Sequence, residues 1–253
     1  MSGHSKWSTI KHKKGAADAR RGVLFTKLSR ELIVAARSGG ADMDMNFRLR
    51  LAVQNAKSAN MPSDTIDRAI QKGSGTGADA DQLQEVSYEG YAPGGAAIII
   101  QALTDNRNRT VADIRSQFTK SGGTLAEAGA VGWGFENKGT IIAECAEGTD
   151  PEEIALLAVD SGAEDFDITD QTINFTTEAT DLDMLRNALE TMDGVTVDTA
   201  ELALVPKTMT ELEDSKAKQT LRLLEALEEL DDVQKVFSNA DFSDEVLAEF
   251  AEA

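Results

Sequence analysis

Sulfur chemistry is nearly absent from this chain, whose 253 residues include a single cysteine, Cys145. That excludes an internal disulfide and a thiolate-rich zinc cluster, and it fits a reducing compartment. Aromatic residues make up only 5% of the sequence, so the cores are expected to be aliphatic. The two histidines, His4 and His12, both sit near the N-terminus and form no nucleophile–base arrangement with the lone cysteine. No spacing matches a calcium loop or a zinc site. The expectation is a protein that is not an enzyme and uses no cofactor or metal. Continuous apolar runs such as Ala96 to Ile100 are far below the ~20 residues that a membrane span needs. The segment Met1 to Trp7 has no apolar core of a secretory signal. A soluble, cytoplasmic protein with no membrane partner is expected, its oligomeric state left open.

What is present is charge, unevenly placed. The chain carries a net −19, yet residues 1–76 hold 14 of its 25 Lys and Arg and only six of its 44 Asp and Glu. That segment is net +8 and the remainder net −27. Such asymmetry points to an anionic partner for the basic end, nucleic acid first. A basic lead contains Lys6, Lys11, Lys13, Lys14, Arg20 and Arg21, with Trp7 and both histidines interleaved. Lys and Arg gain affinity by neutralising phosphates and releasing counterions. Trp7 either stacks on an unpaired base or pins the lead to the helices behind it. Arg48, Arg50, Lys57, Arg68 and Lys72 fall on outward helix positions that extend the patch. No zinc-finger spacing, basic zipper or RNP aromatic pair accompanies them, so phosphate contact is favoured over base readout. Asp105 to Thr110 (DNRNRT) stands where a strand hands over to a helix. It reads as an N-cap and loop, or as an anion site built on Arg107 and Arg109.

The periodicities organise the chain. Leu24, Leu28, Leu32 and Ala36 recur at helical spacing after Gly22, and Gly39-Gly40 ends that helix. A second helix starts near Asp44 or Asn46 and breaks at Met61-Pro62. A third, capped by Ser63, turns Ile66, Ala69 and Ile70 inward and closes at Gly73. Lys72 to Gln82 reads as a linker. Beyond it come strands at 86–91 and 96–103 and a helix at 110–121, a half-unit with nothing to close it. From 130 to 205 the order is β-α-β-β-α-β, the ferredoxin-like pattern. A helix from Glu213 to Leu230 and a strand from Val233 to Ser238 then supply what the half-unit lacked. The expected fold is therefore α+β and multidomain. A three-helix domain (1–76) precedes two ferredoxin-like α/β domains (77–129 plus 206–240, and 130–205), the third inserted in the second. Residues 241–253 form an acidic tail, frayed or weakly helical.

Several stretches resemble one family. Gly3-His4-Ser5-Lys6-Trp7 with Ile10, Lys11, His12 and Lys14 is similar to the start of the YebC family. The likeness continues through Arg30-Glu31, Gly39-Gly40, Arg48-Leu49-Arg50, Asn60-Met61-Pro62, Tyr88-Glu89-Gly90-Tyr91, Asp105 to Val111 and Asp231 to Gln234. It departs at Asp42-Met43, where the family usually has Asp-Pro, and in the Gly-rich Val131 to Phe135. The resemblance implies a helical domain followed by two α/β domains. It also implies a DNA-binding transcriptional regulator, while related members act in translation, one as a mitochondrial activator and others by relieving ribosome stalling at proline runs. The nucleic-acid contacts it implies fall on His4, Lys6, Trp7, Lys11, His12, Lys13 and Lys14, with Arg107 and Arg109 as further candidates. DNA and the ribosome, through ribosomal RNA or tRNA, both stay open as targets, because 27 net negative charges would repel a bare duplex. A protein-binding scaffold, offering acidic α/β surfaces to a basic partner, is the competing class.

Overall fold

The computed structural model describes residues 18–75 and 83–252. Three helices open the described chain: α1 (Asp18–Gly39), α2 (Phe47–Ser58) and α3 (Ser63–Ser74). Helix α1 runs through Gly22, so its start lies earlier than the apolar period suggests. Leu32, Ile33, Ala35 and Ala36 of α1 meet Leu49, Ala52, Val53 and Ala56 of α2 and Ile66 and Ala69 of α3 in one aliphatic core. Asn46 fastens the first corner. Its side-chain oxygen accepts from Leu49 N at 3.1 Å, capping α2, while Nδ2 donates to Ala35 O and Gly40 O, both at 2.8 Å. Gly39 leaves room for that amide, because a Cβ there would stand 2.6 Å from Asn46 Cγ. Helix α3 differs from expectation: its N-cap is Pro62, with no side-chain cap, and Ser63 is its first residue.

The next part is an antiparallel sheet. Strands β1 (Gln84–Tyr91) and β2 (Ala97–Thr104) form a hairpin, β3 (Thr124–Ala126) joins β1, and β9 (Val233–Ser238) joins β2, giving the order β3-β1-β2-β9. Two helices cover it, α4 (Arg107–Ser121) after β2 and α7 (Asp214–Glu228) before β9. The strand that closes the half-unit comes from the far end of the chain, as the leftover α-β tail led us to expect. Between β3 and α7 lies the insertion: β4 (Phe135–Cys145), α5 (Pro151–Asp160), β5 (Ala163–Thr169), β6 (Thr172–Glu178), α6 (Leu182–Glu190) and β7 (Val195–Pro206). Its sheet order β5-β6-β4-β7, antiparallel throughout, is the ferredoxin-like arrangement. Ile141, Ile173, Phe175, Leu182, Leu185 and Leu189 fill its interior.

Gly134–Met209 belongs to one compact unit, and Gly15–Trp133 with Thr210–Ala253 forms the other. The second unit thus joins the helical domain to the β3-β1-β2-β9 sheet. A short parallel pair, β8 (Thr210–Glu211) with β10 (Ala240–Asp241), ties the segment before α7 to the one after β9. The acidic end is not frayed. It forms α8 (Asp244–Glu252), and Phe242, Val246 and Leu247 are buried to within 3% exposure. Their apolar spacing was hidden among the carboxylates of that stretch.

Candidate nucleic-acid interface

The basic end divides into cations that hold the fold together and cations that face solvent. Among the described residues, five belong to the first group. Helix α1 points Lys27, Arg30 and Arg37 at the neighbouring α/β domain. Lys27 Nζ donates to Glu228 O at the C-terminal end of α7, where a cation suits both the unpaired carbonyls and the helix dipole. Arg30 Nη1 donates to Asp231 O and, at 3.0 Å, to Asp232 Oδ1. Arg37 Nη2 donates to Leu83 O at 2.8 Å. Arg48 lies between two carboxylates, Glu31 at 2.7 Å and Glu85 at 2.9 Å. Burial alone would lower its pKa, but hydrogen bonds and charge from Glu31 and Glu85 outweigh that and raise it. The outward projection expected of Arg48 is therefore corrected: it cross-links α1, α2 and the start of β1. Arg50 is half-buried, donates to Met43 O at 2.9 Å and stacks over Phe47, 5.5 Å from the ring centroid. It too is drawn back onto its own domain.

The solvent-facing group, among the described residues of this domain, includes Lys57, Arg68 and Lys72. Arg68 and Lys72 are one turn apart on α3, and Arg68 is steadied by Asp64 O at 2.9 Å. Arg20 and Arg21 lie in the first turn of α1, where only the backbone course is described. His4, Lys6, Trp7, Lys11, His12, Lys13 and Lys14 lie outside the described residues.

Arg109 meets a different fate from the anion-binding role considered for it. Asn106 caps α4 by accepting from Arg109 N at 3.1 Å, and Thr104 Oγ1 accepts from Asn106 N at 2.9 Å. The side chain of Arg109 reaches Asp105 at 2.8 Å and Asp232 at 2.7 Å. Asp232, 6% exposed, is the centre of this cluster. Its Oδ1 takes Arg30, and its Oδ2 takes Arg109 and, at 2.8 Å, the Thr110 hydroxyl, with Thr104 Oγ1 at 3.2 Å. Burial pushes the Asp232 carboxyl up. Hydrogen bonds from Arg109 and Thr110, with the charges of Arg109 and Arg30, overcome this and hold it below the usual aspartate range.

An open cleft of about 540 Å³ borders the cluster. Arg30 and Arg109 line it against five carboxylates: Asp105, Asp113, Glu229, Asp231 and Asp232. Its field repels phosphate, so the N-cap reading of DNRNRT is the one the geometry supports. Arg107 stands exposed on the first turn of α4, and its carbonyl accepts from the Tyr88 hydroxyl at 3.5 Å. Sequence reasoning missed Asp232 and Arg30 as partners. Both lie in stretches that carried the family likeness, and that was the available signal. No helix among the described residues is long and apolar enough to cross a membrane.

A helical domain pinned by its own cations to an α/β domain, itself interrupted by an acidic ferredoxin-like insertion, defines a three-part α+β protein. The model of the TACO1/YebC protein N-terminal domain matches residues 5–76, and that of the TACO1/YebC second and third domain matches residues 83–240. The chain belongs to the TACO1/YebC family. A probable transcriptional regulatory protein of Dehalococcoides mccartyi is 54% identical over 250 residues, covering 99% of this chain and 98% of that one. A protein of the same description from Herpetosiphon aurantiacus is 51% identical over 252 residues, covering 100% and 99%. The crystal structure of a conserved hypothetical protein, Aq1575 from Aquifex aeolicus, matches with a TM-score of 0.84 at 43% identity, covering 93% of this chain and 96% of that one.

Proposed function

We propose that this protein is a cytoplasmic, non-catalytic regulator of gene expression that binds nucleic acid through its basic N-terminal end. The observation that carries the proposal is the segregation of charge, net +8 over residues 1–76 against net −27 elsewhere. The relatives' description as probable transcriptional regulatory proteins supports it and favours DNA as the first target to test. The hydrogen bonds of the folded cations support a division of labour among the basic residues. Lys27, Arg30, Arg37, Arg48 and Arg109 bind carbonyls or carboxylates of the fold. Phosphate contact then falls to the basic lead, including Lys11, Lys13 and Lys14, and to Lys57, Arg68 and Lys72. A non-catalytic role is supported by Cys145, which is buried and whose thiol is pushed up by that burial and by Asp150, leaving it a poor nucleophile.

One observation favours a second target. The acidic insertion would repel a long duplex that wrapped the whole molecule, whereas a single basic end can enter a large RNA particle. Charge reversal at Lys11, Lys13 and Lys14 together tests the shared claim. The expected result is at least a tenfold loss of affinity for duplex DNA or for structured RNA. Unchanged affinity for both would overturn it. Sedimentation of lysate then separates the targets: migration with ribosomes, abolished by the same variant, assigns RNA, and specific protection of a promoter by the free protein assigns DNA.

A further inference from the structure

The Gly134–Met209 unit contains 18 Asp and Glu against three Lys and Arg, a net −15. All three cations are already paired, Lys138 with Glu164 and Glu178, Arg186 with Glu190, and Lys207 with Glu136. Helix α5 interrupts this acidic surface. Its inner face, Ile154, Ala155 and Ala158, is buried in the core of the unit. Its outer side carries Leu156, Leu157 and Val159, which are 65%, 47% and 45% exposed, set among Glu152, Glu153 and Asp160. Met184 of α6, 56% exposed, lies beside Gly162 just past the end of α5, where a Cβ would stand 3.1 Å from its Cε. It lengthens the apolar strip.

Two choices here run against local stability. A surface helix ordinarily turns polar residues outward, yet three aliphatic side chains stand in solvent. Asp160 occupies the last turn, where the helix dipole disfavours an anion, and no basic residue accompanies it. Local rules broken together on one face mark positions kept for contact.

We propose that the outer face of α5 docks a basic, amphipathic segment of a protein partner. Its apolar side chains would cover Leu156, Leu157 and Val159 while its Lys and Arg reach the surrounding carboxylates. Charge complementarity selects this occupant. Nucleic acid is repelled by the net −15, and a second copy would bring the same carboxylates face to face. The proposal stands apart from the nucleic-acid reading, and either can fail alone.

The test uses the full chain, isotopically labelled, titrated with a synthetic Leu/Lys amphipathic helix of about 18 residues and followed by NMR. A peptide of the same composition with its Leu positions scrambled is the control. Shifts should concentrate on α5 and Met184, with micromolar affinity for the amphipathic peptide and at least tenfold weaker binding of the scrambled one. Leu156→Ser with Val159→Ser, and separately Glu152→Lys with Glu153→Lys, should each weaken binding tenfold or more. Since these side chains are exposed, thermal unfolding of the serine variant should match the parent, and that of the lysine variant, which loses two carboxylates from the first turn of α5, should fall by only a few degrees, which separates loss of docking from loss of fold. Absent binding, equal binding of the scrambled peptide, or shifts centred elsewhere would overturn the proposal. So would sedimentation showing a self-association that the Leu156→Ser, Val159→Ser variant abolishes, because the face would then serve a second copy.

Discussion

Asp232 collects donors from two distant stretches of the chain: Arg30 on α1, and the β2–α4 junction with Thr104, Arg109 and Thr110. Removing one partner of a buried, hydrogen-bonded charge leaves the others unpaired. Asp232→Ala is therefore expected to cost about 2–3 kcal/mol in urea unfolding, less than for a fully buried pair because Arg109 can regain water. The pH dependence follows from the sign of the shift. With its folded pKa depressed, the Asp232 carboxylate contributes stability that is whole above the ordinary aspartate value of ~3.9 and lost as pH falls through the lower folded value. The stability difference between parent and Asp232→Asn should shrink as pH drops below about 4, and a difference constant down to pH ~2 would contradict the assignment. Arg109→Gln should lower stability by about 1 kcal/mol while leaving the salt dependence of nucleic-acid binding unchanged. The attraction of Arg109 as an anion site in the sequence has a plain cause. One of its two carboxylate partners, Asp105, is local, but the buried one, Asp232, lies 123 residues away, and no local pattern could pair them.

Helix α3 reaches α1 through Gly73, where a Cβ would stand 2.3 Å from Ile33 O and 2.9 Å from Ala36 Cβ. The contact is with backbone, which cannot swing aside. Gly73→Ala should destabilise by about 1–3 kcal/mol. Gly22→Ala offers the contrast, since no described atom lies within 4 Å of its added Cβ in the helix. It should stabilise α1 by about 0.5–1 kcal/mol, and thermal unfolding of the two variants should move in opposite directions. Element identity was legible wherever apolar residues recur at a fixed period: α1, the β1–β2 hairpin, and the alternating elements of the insertion. The cap of α2 was legible to within two residues, Asp44 or Asn46 standing just ahead of an apolar run, and Asn46 is the one used. The docked helix α8 was not, because its few apolar residues sit in a run of carboxylates. Phe242→Ala, which empties a site only 3% exposed, should cost about 3 kcal/mol. A loss below a few tenths in chemical unfolding would restore the picture of a loose tail.

Across the whole molecule, charge and topology were both readable from order alone. An unfinished half-sheet before the insertion and an α-β pair after it predict that β9 completes the sheet, and it lies against β2. The excess of cations at one end was equally plain, but not their division of labour. Carbonyl and carboxylate partners of Lys27, Arg30 and Arg37, and the Glu85 partner of Arg48, exist only once the α/β domain is folded beside α1. The basic end is thus partly mortar, and the cations left to face solvent must supply any grip on phosphate. A salt titration of full-chain binding to a short DNA duplex tests this most directly. If roughly five phosphates are engaged, the log of affinity should fall against the log of salt with a slope of about −4.5. Reversing Lys11, Lys13 and Lys14 should make that slope shallower by about 3. Affinity that does not change with salt, or a slope the triple reversal leaves intact, would contradict the account.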